Sequence, residues 1–242
     1  MSAQPSGDPV LRPDGAFCWV DLKTRDPNAA AAFFGGVLGW TVEIDQDSWR
    51  RATVIRVGEH HIGGLSDVTA AVYPPGTPPH IACYLAVGDV DARVAAAVEA
   101  GARLLVAPFD AGDDGRIATL IDPFGAAVSL WQRQTPQRGW THSQATEAAP
   151  RRLQHLSADP AAAAEFYRRH LGMTDPDTDF TGLKRVNTLP GWRLIVAVDS
   201  VTEVQRRAVE SPGGTGQVGP ADDRGVVVDL TAPDGLTFAI ES

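Results

Sequence analysis

The sequence predicts an α+β fold of tandem βαβββ units that pair into two cupped half-barrel domains. Three observations carry that prediction. A pattern of Asp-Pro, an Ala-rich run, an aromatic pair and Leu-Gly occurs twice, at a constant offset of 133 residues. A second pattern of strand, helix and three strands also occurs twice, between and after the first. A polar stretch without periodicity, Gln134–Ala149, separates residues 14–133 from 150–242 and reads as a linker. Each part has roughly the ~100–150 residues typical of one domain.

The first pattern explains its own helix. Asp26-Pro27 precedes Ala29–Ala32, Phe33-Phe34 and Leu38-Gly39-Trp40, and Asp159-Pro160 precedes a second Ala run, Phe166-Tyr167 and Leu171-Gly172-Met173. In each copy the aspartate is placed to cap the helix, and proline sits where a missing N–H is harmless. Alanines favour the helix. The aromatic pair and the leucine recur at helical spacing, and glycine ends the helix. Strand-like runs, Phe17–Leu22 and Leu153–Ser157, come before.

The second pattern begins at Tyr84–Val87, continues through Val90–Ala100, Arg103–Val106 and Gly115–Ile121, turns at Asp122-Pro123-Phe124-Gly125 and ends in Ala127–Trp131. Its later copy runs through Leu194–Val198, Val201–Val209, a Gly-rich loop, Gly225–Leu230, Pro233-Asp234-Gly235 and Thr237–Ile240. Four units result, about 14–76, 77–133, 150–190 and 191–242. The third has room for at most two strands after its helix, so the second cup is expected to be shallower or closed. The second domain would then do within one chain what a partner subunit does in a dimer, giving a pseudo-dimeric monomer or a homodimer. Met1–Pro13 reads as a frayed tail.

Composition narrows the function. Hydrophobic residues make up 43% of the chain, enough for a packed core, and the net charge of −9 excludes non-specific nucleic-acid binding. No stretch of ~18 uninterrupted apolar residues offers a membrane span, and no apolar signal core opens the chain, so a cytoplasmic protein is expected. Cys18 and Cys83 lie in apolar runs and read as core residues rather than a disulfide framework.

The strings Cys18-Trp19-Val20-Asp21-Leu22, Asp26-Pro27, Phe33-Phe34, Leu38-Gly39-Trp40, Gly115-Arg116 and Asp122-Pro123-Phe124-Gly125 resemble the glyoxalase/bleomycin-resistance/dioxygenase proteins of the vicinal oxygen chelate superfamily. The likeness is strongest to two-domain actinobacterial members often labelled hydroxylases, close over 14–133 and weaker over 150–242. Metal-dependent members carry His, Gln or Glu at matching strand positions. The resemblance places those positions at Trp19, Gly64, Ala82 and Ser129, and in the second half at Arg152, Arg193 and Ala239. None is a good ligand for a divalent metal. No metal or other cofactor is therefore expected. A displaced His/His/carboxylate site drawing on His60, His61 or His80 is the alternative to their being exposed turn residues.

Strand parity supplies the candidate pocket wall. Trp19, Asp21 and Lys23 share the face that the resemblance turns inward, with Phe17 joining at the strand's start, while Cys18, Val20 and Leu22 belong under the helix. His80, Ala82 and Tyr84 share it on the next central strand, and Ala127, Ser129 and Trp131 on another. The wall is then Trp19, Asp21, Lys23, Tyr84, Ser129 and Trp131, with Trp131 near the rim. It suits a flat, partly polar small molecule, aromatic or cationic. Alternatively the indoles merely fill a vacated pocket, and Asp21 and Lys23 form a rim ion pair. Arg116 is either an anion clamp or a solvated rim residue, and Trp192 is the matching indole of the second cup. Two functions fit: a metal-independent small-molecule-binding protein, or a metal-free isomerase, cyclase or lyase of secondary metabolism with Asp21 or His80 as general base.

Overall fold

The computed structural model describes residues 11–45, 52–134, 139–183, 189–218 and 227–242. The first unit runs β1 (Phe17–Thr24), α1 (Pro27–Leu38), β2 (Thr41–Ile44), β3 (Thr53–Val57) and β4 (His60–Asp67). The second runs β5 (His80–Ala86), α2 (Val90–Glu99), β6 (Arg103–Asp110), β7 (Arg116–Ile121) and β8 (Ala127–Gln132). Together they form an eight-stranded sheet of order β2-β3-β4-β1-β5-β8-β7-β6. Antiparallel β1 and β5 lie at its centre, and each pairs in parallel with the last strand of its own unit.

The other units are β9 (Pro150–Ser157), α3 (Pro160–His170) and β10 (Thr178–Gly182), then β11 (Gly191–Ala197), α4 (Val201–Glu210), β12 (Thr215–Val218), β13 (Val228–Thr231) and β14 (Thr237–Glu241). They form a six-stranded sheet, β10-β9-β11-β14-β13-β12. The third unit has one strand after its helix among the described residues, where up to two were expected. Seven residues separate α3 from β10, too few for an outgoing and a returning strand. β10 therefore takes directly beside β9 the parallel place that β4 takes beside β1.

Local chemistry starts both repeated helices as expected. Asp26 accepts a hydrogen bond from Ala29 N and Asp159 one from Ala162 N, each at 3.0 Å, with proline in the first turn. Gly39 ends α1 at φ 71°, a left-handed conformation that favours glycine. Gly115 is needed for a second reason: a Cβ there would lie 2.1 Å from Gln132 O.

The helices lie between the two sheets. Phe33, Phe34 and Val37 of α1, Val94 of α2, Tyr167 of α3 and Val204 of α4 share one core cluster with Val20, Leu22, Leu85, Leu130, Leu194 and Phe238 of the strands. Helix α1 meets α4, and α2 meets α3. Phe34 touches Phe238 at 5.2 Å, and Phe17 meets Trp192 edge-on at 4.7 Å. Polar groups tie the same seam. Asp122 accepts from His155 Nε2 at 2.8 Å and Tyr167 OH at 2.9 Å, while its other oxygen accepts from Phe124 N and Ala126 N. Four donors thus satisfy one buried carboxylate.

Several expectations need correction. The segment read as a linker is partly packed: Trp140 is buried and donates from Nε1 to Ile62 O at 2.6 Å, and His142 bonds Pro150 O at 2.8 Å. A single Trp in a polar stretch gives no periodic signal, yet its area suffices to anchor the crossing. Residues 135–138 lie outside the described set. The end of the expected tail is also tied down, since Arg12 N donates to Trp140 O and its side chain pairs with Asp177 at 2.9 Å; residues 1–10 lie outside the described set. Phe17 and Cys18 exchange the faces expected of them. A register shift between Phe17 and Trp19 sends Phe17 into the main core and Cys18 into a small cluster with Ala86 and Trp131 on the opposite face. A β-bulge inserts one residue and reverses the alternation, which simple parity cannot anticipate.

Candidate ligand-binding site

The candidate site is the face of the eight-stranded sheet turned away from the helices. Past the bulge, Trp19, Asp21 and Lys23 point to it from β1. Register then brings the other residues alongside. Trp19 pairs with Tyr84, Asp21 with Ala82 and Gly64, Lys23 with His80, and Tyr84 with Ser129. All six expected wall residues and both candidate bases therefore share one face.

Its aromatic end is a packed corner. Trp19 meets Trp131 edge-to-face at 6.0 Å, and Tyr84 meets Trp131 at 6.2 Å. Trp131 is 5% exposed and its Nε1 donates to Asp114 O at 2.5 Å, so it is a buried support and not the rim residue expected. A ligand ring has no slot between rings already in contact. The partly exposed Trp19 and Tyr84 form a platform, with Trp131 fixing its angle. Ser129 is engaged with Thr119 Oγ1 at 2.9 Å.

The polar end centres on Asp21, which is 3% exposed. Lys23 Nζ donates to its Oδ2 at 2.7 Å, and Ser66 Oγ lies 2.9–3.0 Å from both carboxylate oxygens. Lys23 also donates to Tyr73 OH at 3.1 Å. Burial alone would lower the Lys23 pKa, but the charge of Asp21, aided by Tyr84, Tyr73 and the Asp21 hydrogen bond, outweighs it and the net shift is upward. The ion pair is thus an inner-face feature and not a solvated rim contact. His80 donates from Nδ1 to Pro78 O at 2.9 Å, which leaves Nε2 as the acceptor of its neutral ring. Burial lowers its pKa, and the Lys23 charge adds to that. Of the two candidate bases, His80 keeps a lone pair directed away from its partner, whereas Asp21 is engaged by Lys23 and Ser66.

Metal-ligand chemistry does not fit the positions that family likeness points to. Trp19, Gly64, Ala82 and Ser129 do share the face, but they offer one hydroxyl oxygen among them. A Cβ on Gly64 would stand 3.1 Å from Asp21 Oδ1, so the carboxylate lies where a ligating side chain at that position would project. A site joining His80 to His61 fails on distance. His61 is level with the start of β1 and His80 with Lys23, a separation of roughly 16 Å at ~3.3 Å per residue. His60 bonds Thr141 at 3.1 Å and His61 faces Glu43 at 3.7 Å. Among the described residues no group of three His, Cys, Asp or Glu side chains is placed to hold a metal.

Other expected residues are used structurally. Arg116 is held by both oxygens of Asp91, at 2.6 and 3.0 Å, and by Asp110 at 2.8 Å. Trp192 faces the seam, where its Nε1 donates to Tyr167 OH at 3.1 Å, and is no part of a second cup. Sequence reasoning missed Ser66 and Tyr73. Ser66 was accessible in principle, being two residues beyond Gly64 on one strand, but Tyr73 lies in a loop whose position no periodicity encodes.

The glyoxalase-like domain family matches residues 19–131. A putative glyoxylase of Mycobacterium tuberculosis, CFP32, is 30% identical over 251 residues, covering 92% of each chain. The anthracycline biosynthesis protein DnrV of Streptomyces peucetius is 29% identical over 263 residues, covering 93% of this chain and 92% of that one. Among solved structures, the Mn(II)-bound glyoxalase from Novosphingobium aromaticivorans superposes with a TM-score of 0.60 at 15% identity, covering 94% of this chain and 81% of the other. Homoprotocatechuate 2,3-dioxygenase from Arthrobacter globiformis gives 0.61 at 17%, covering 98% and 82%.

Proposed function

The chain belongs to the glyoxalase-like family of the vicinal oxygen chelate superfamily, and from that premise we propose that it binds a flat aromatic small molecule on the outer face of its first sheet without a metal. One observation carries the reading: where the fold's metal ligands would stand, this face has an aromatic platform, Trp19 and Tyr84 on Trp131, beside a buried Lys23–Asp21 pair. An aromatic surface with a few oriented polar groups is the composition of small-molecule sites. A cationic ligand is less well matched, because the Asp21 carboxylate is already neutralised by Lys23. The likeness to an anthracycline biosynthesis protein favours a fused-ring aromatic of secondary metabolism as the ligand class. Among the described residues no helix is long and apolar enough to cross a membrane.

Catalysis is the second reading, and His80 is the observation that favours it. A neutral imidazole with an available Nε2 beside an ammonium could move a proton in a metal-free isomerisation or cyclisation.

Titration with alizarin, a fused-ring hydroxyquinone, tests the first reading. Indole fluorescence should be quenched, and Trp19→Ala should weaken binding about tenfold, as loss of an aromatic contact worth ~1 kcal/mol plus its area predicts. Elemental analysis should find less than stoichiometric Zn, Ni, Fe or Mn. One tightly held metal per chain, or unchanged affinity in Trp19→Ala, would overturn it.

A further inference from the structure

The polar end of the face has donors that no acceptor among the described residues takes up. Lys23 Nζ carries three hydrogens, and the described structure gives it two acceptors, Asp21 Oδ2 and Tyr73 Oη. The Tyr73 hydroxyl accepts from Lys23, and no described acceptor takes its own hydrogen. An ammonium whose side chain is 13% exposed therefore has one N–H unspent, next to an O–H equally unspent. Two donors 3.1 Å apart are close enough to share one acceptor oxygen.

The ammonium's location sets what carries that oxygen. Lys23 Nζ is 2.7 Å from Asp21 Oδ2, so the charge stands beside the Asp21 carboxylate. Asp21 is two residues from Trp19, roughly 7 Å along the strand. A ring lying on Trp19 and Tyr84 thus reaches the donors with an oxygen borne on the ring system itself, without a flexible tail. Resting on the proposed binding reading, we propose that Lys23 and Tyr73 form a two-donor site for a ring-borne anionic oxygen, a phenolate, enolate or quinone oxygen of a fused-ring aromatic. Lys23 then supplies, from within the chain, the positive charge that metal-dependent relatives draw from a bound ion. The other groups facing Nζ do not compete. Asp21 fixes it, Ser66 holds Asp21, and His80 across the strand is neutral and offers only an acceptor.

Alizarin tests this directly, because its visible spectrum changes when a phenol ionises. Bound to wild-type protein, its phenol should ionise at a pH lower by about one unit than in water. Lys23→Met removes the ammonium from a buried carboxylate and risks misfolding, so the informative variant is Lys23→Met with Asp21→Asn, checked for an intact melting transition. This double variant should still quench on binding, bind about tenfold more weakly, and lose the shift in dye ionisation. Tyr73→Phe should lose part of it. Indole quenching with an undiminished ionisation shift in the double variant overturns the two-donor site and leaves the aromatic platform standing. Absence of quenching in the wild type overturns the binding reading, and this proposal with it.

Discussion

Trp19 and Trp131 of the first sheet occupy the positions that Arg152 and Glu241 occupy in the second. The offset of the repeats and the strand registers agree on this: Trp19 faces Tyr84 as Arg152 faces Ile195, and Tyr84 pairs with Ser129 as Ile195 pairs with Ala239. The β-bulge recurs too, beside Trp19 in one sheet and beside Arg152 in the other. An edge-to-face indole pair on one face is thus replaced by a salt bridge on the other. Arg152 donates to both oxygens of Glu241, at 2.6 to 3.2 Å, and to Asp179, while Arg193 pairs with Asp229 at 2.7 Å. The places of Asp21 and Lys23 are taken by Gln154 and Leu156. The same backbone therefore carries an aromatic cluster in one half and a charged cluster in the other. Fold and side-chain chemistry separate in this chain: the repeat sets the backbone, and a few side chains on one face set its character.

The largest expected effect lies on the charged side. Arg152→Ala should cost about 3–5 kcal/mol in urea denaturation, because the buried Glu241 carboxylate would lose the guanidinium that pairs with it. Arg152→Met with Glu241→Leu should recover much of that, since it removes both main charges together. A single-variant cost under about 1 kcal/mol would mean that the pair is open to water. Trp131→Ala comes next, at about 3 kcal/mol, as befits a buried indole, whereas Trp19→Ala should lose less stability and more ligand affinity. Equal stability losses at the two tryptophans would contradict the division into support and platform.

The crossing between the halves gives a pH signature. Burial, followed by nearby charges, depresses the His142 pKa from 6.5 to about 4, and its Nδ1 is buried without a partner. A depressed pKa means that the stabilising contribution is complete above the unfolded value and is lost as pH falls through the folded one. Stability should therefore drop between pH 6.5 and about 4. His142→Gln, followed by chemical denaturation across that range, should show a shallower drop; an unchanged slope would assign the acid sensitivity to other groups. The smallest effect is at the matched caps. Asp26→Ala and Asp159→Ala should each cost about 1 kcal/mol in thermal melts. Similar costs would support the equivalence of the two repeats, and a clear disparity would limit it.

What was legible in the sequence follows a physical division. Helix caps, the Leu-Gly stops, four units and the alternation beyond Trp19 depend on neighbours in the chain, so local pattern carries them. Asp21, Lys23, Tyr84 and Ser129 were placed on one face by the two-residue period together with the family resemblance. The errors fell where distant contacts decide. The bulge that moves Phe17 to Trp192 depends on how β1 pairs with β5. Trp140 is held by the carbonyl of Ile62, 78 residues away, and Tyr73 meets Lys23 across 50 residues of chain.

By itself, then, the sequence determined the tandem repeat of strand-and-helix units, because caps, glycine stops and strand alternation are matters of residue identity at fixed spacing. Tertiary structure alone decided that the tryptophans form a platform with a buried support and not a slot. It also decided that Lys23 pairs with Asp21, and that Arg152 pairs with Glu241 on the second face. Those outcomes depend on rotamers chosen by packing and charge among strands distant in sequence, and no local period encodes that choice.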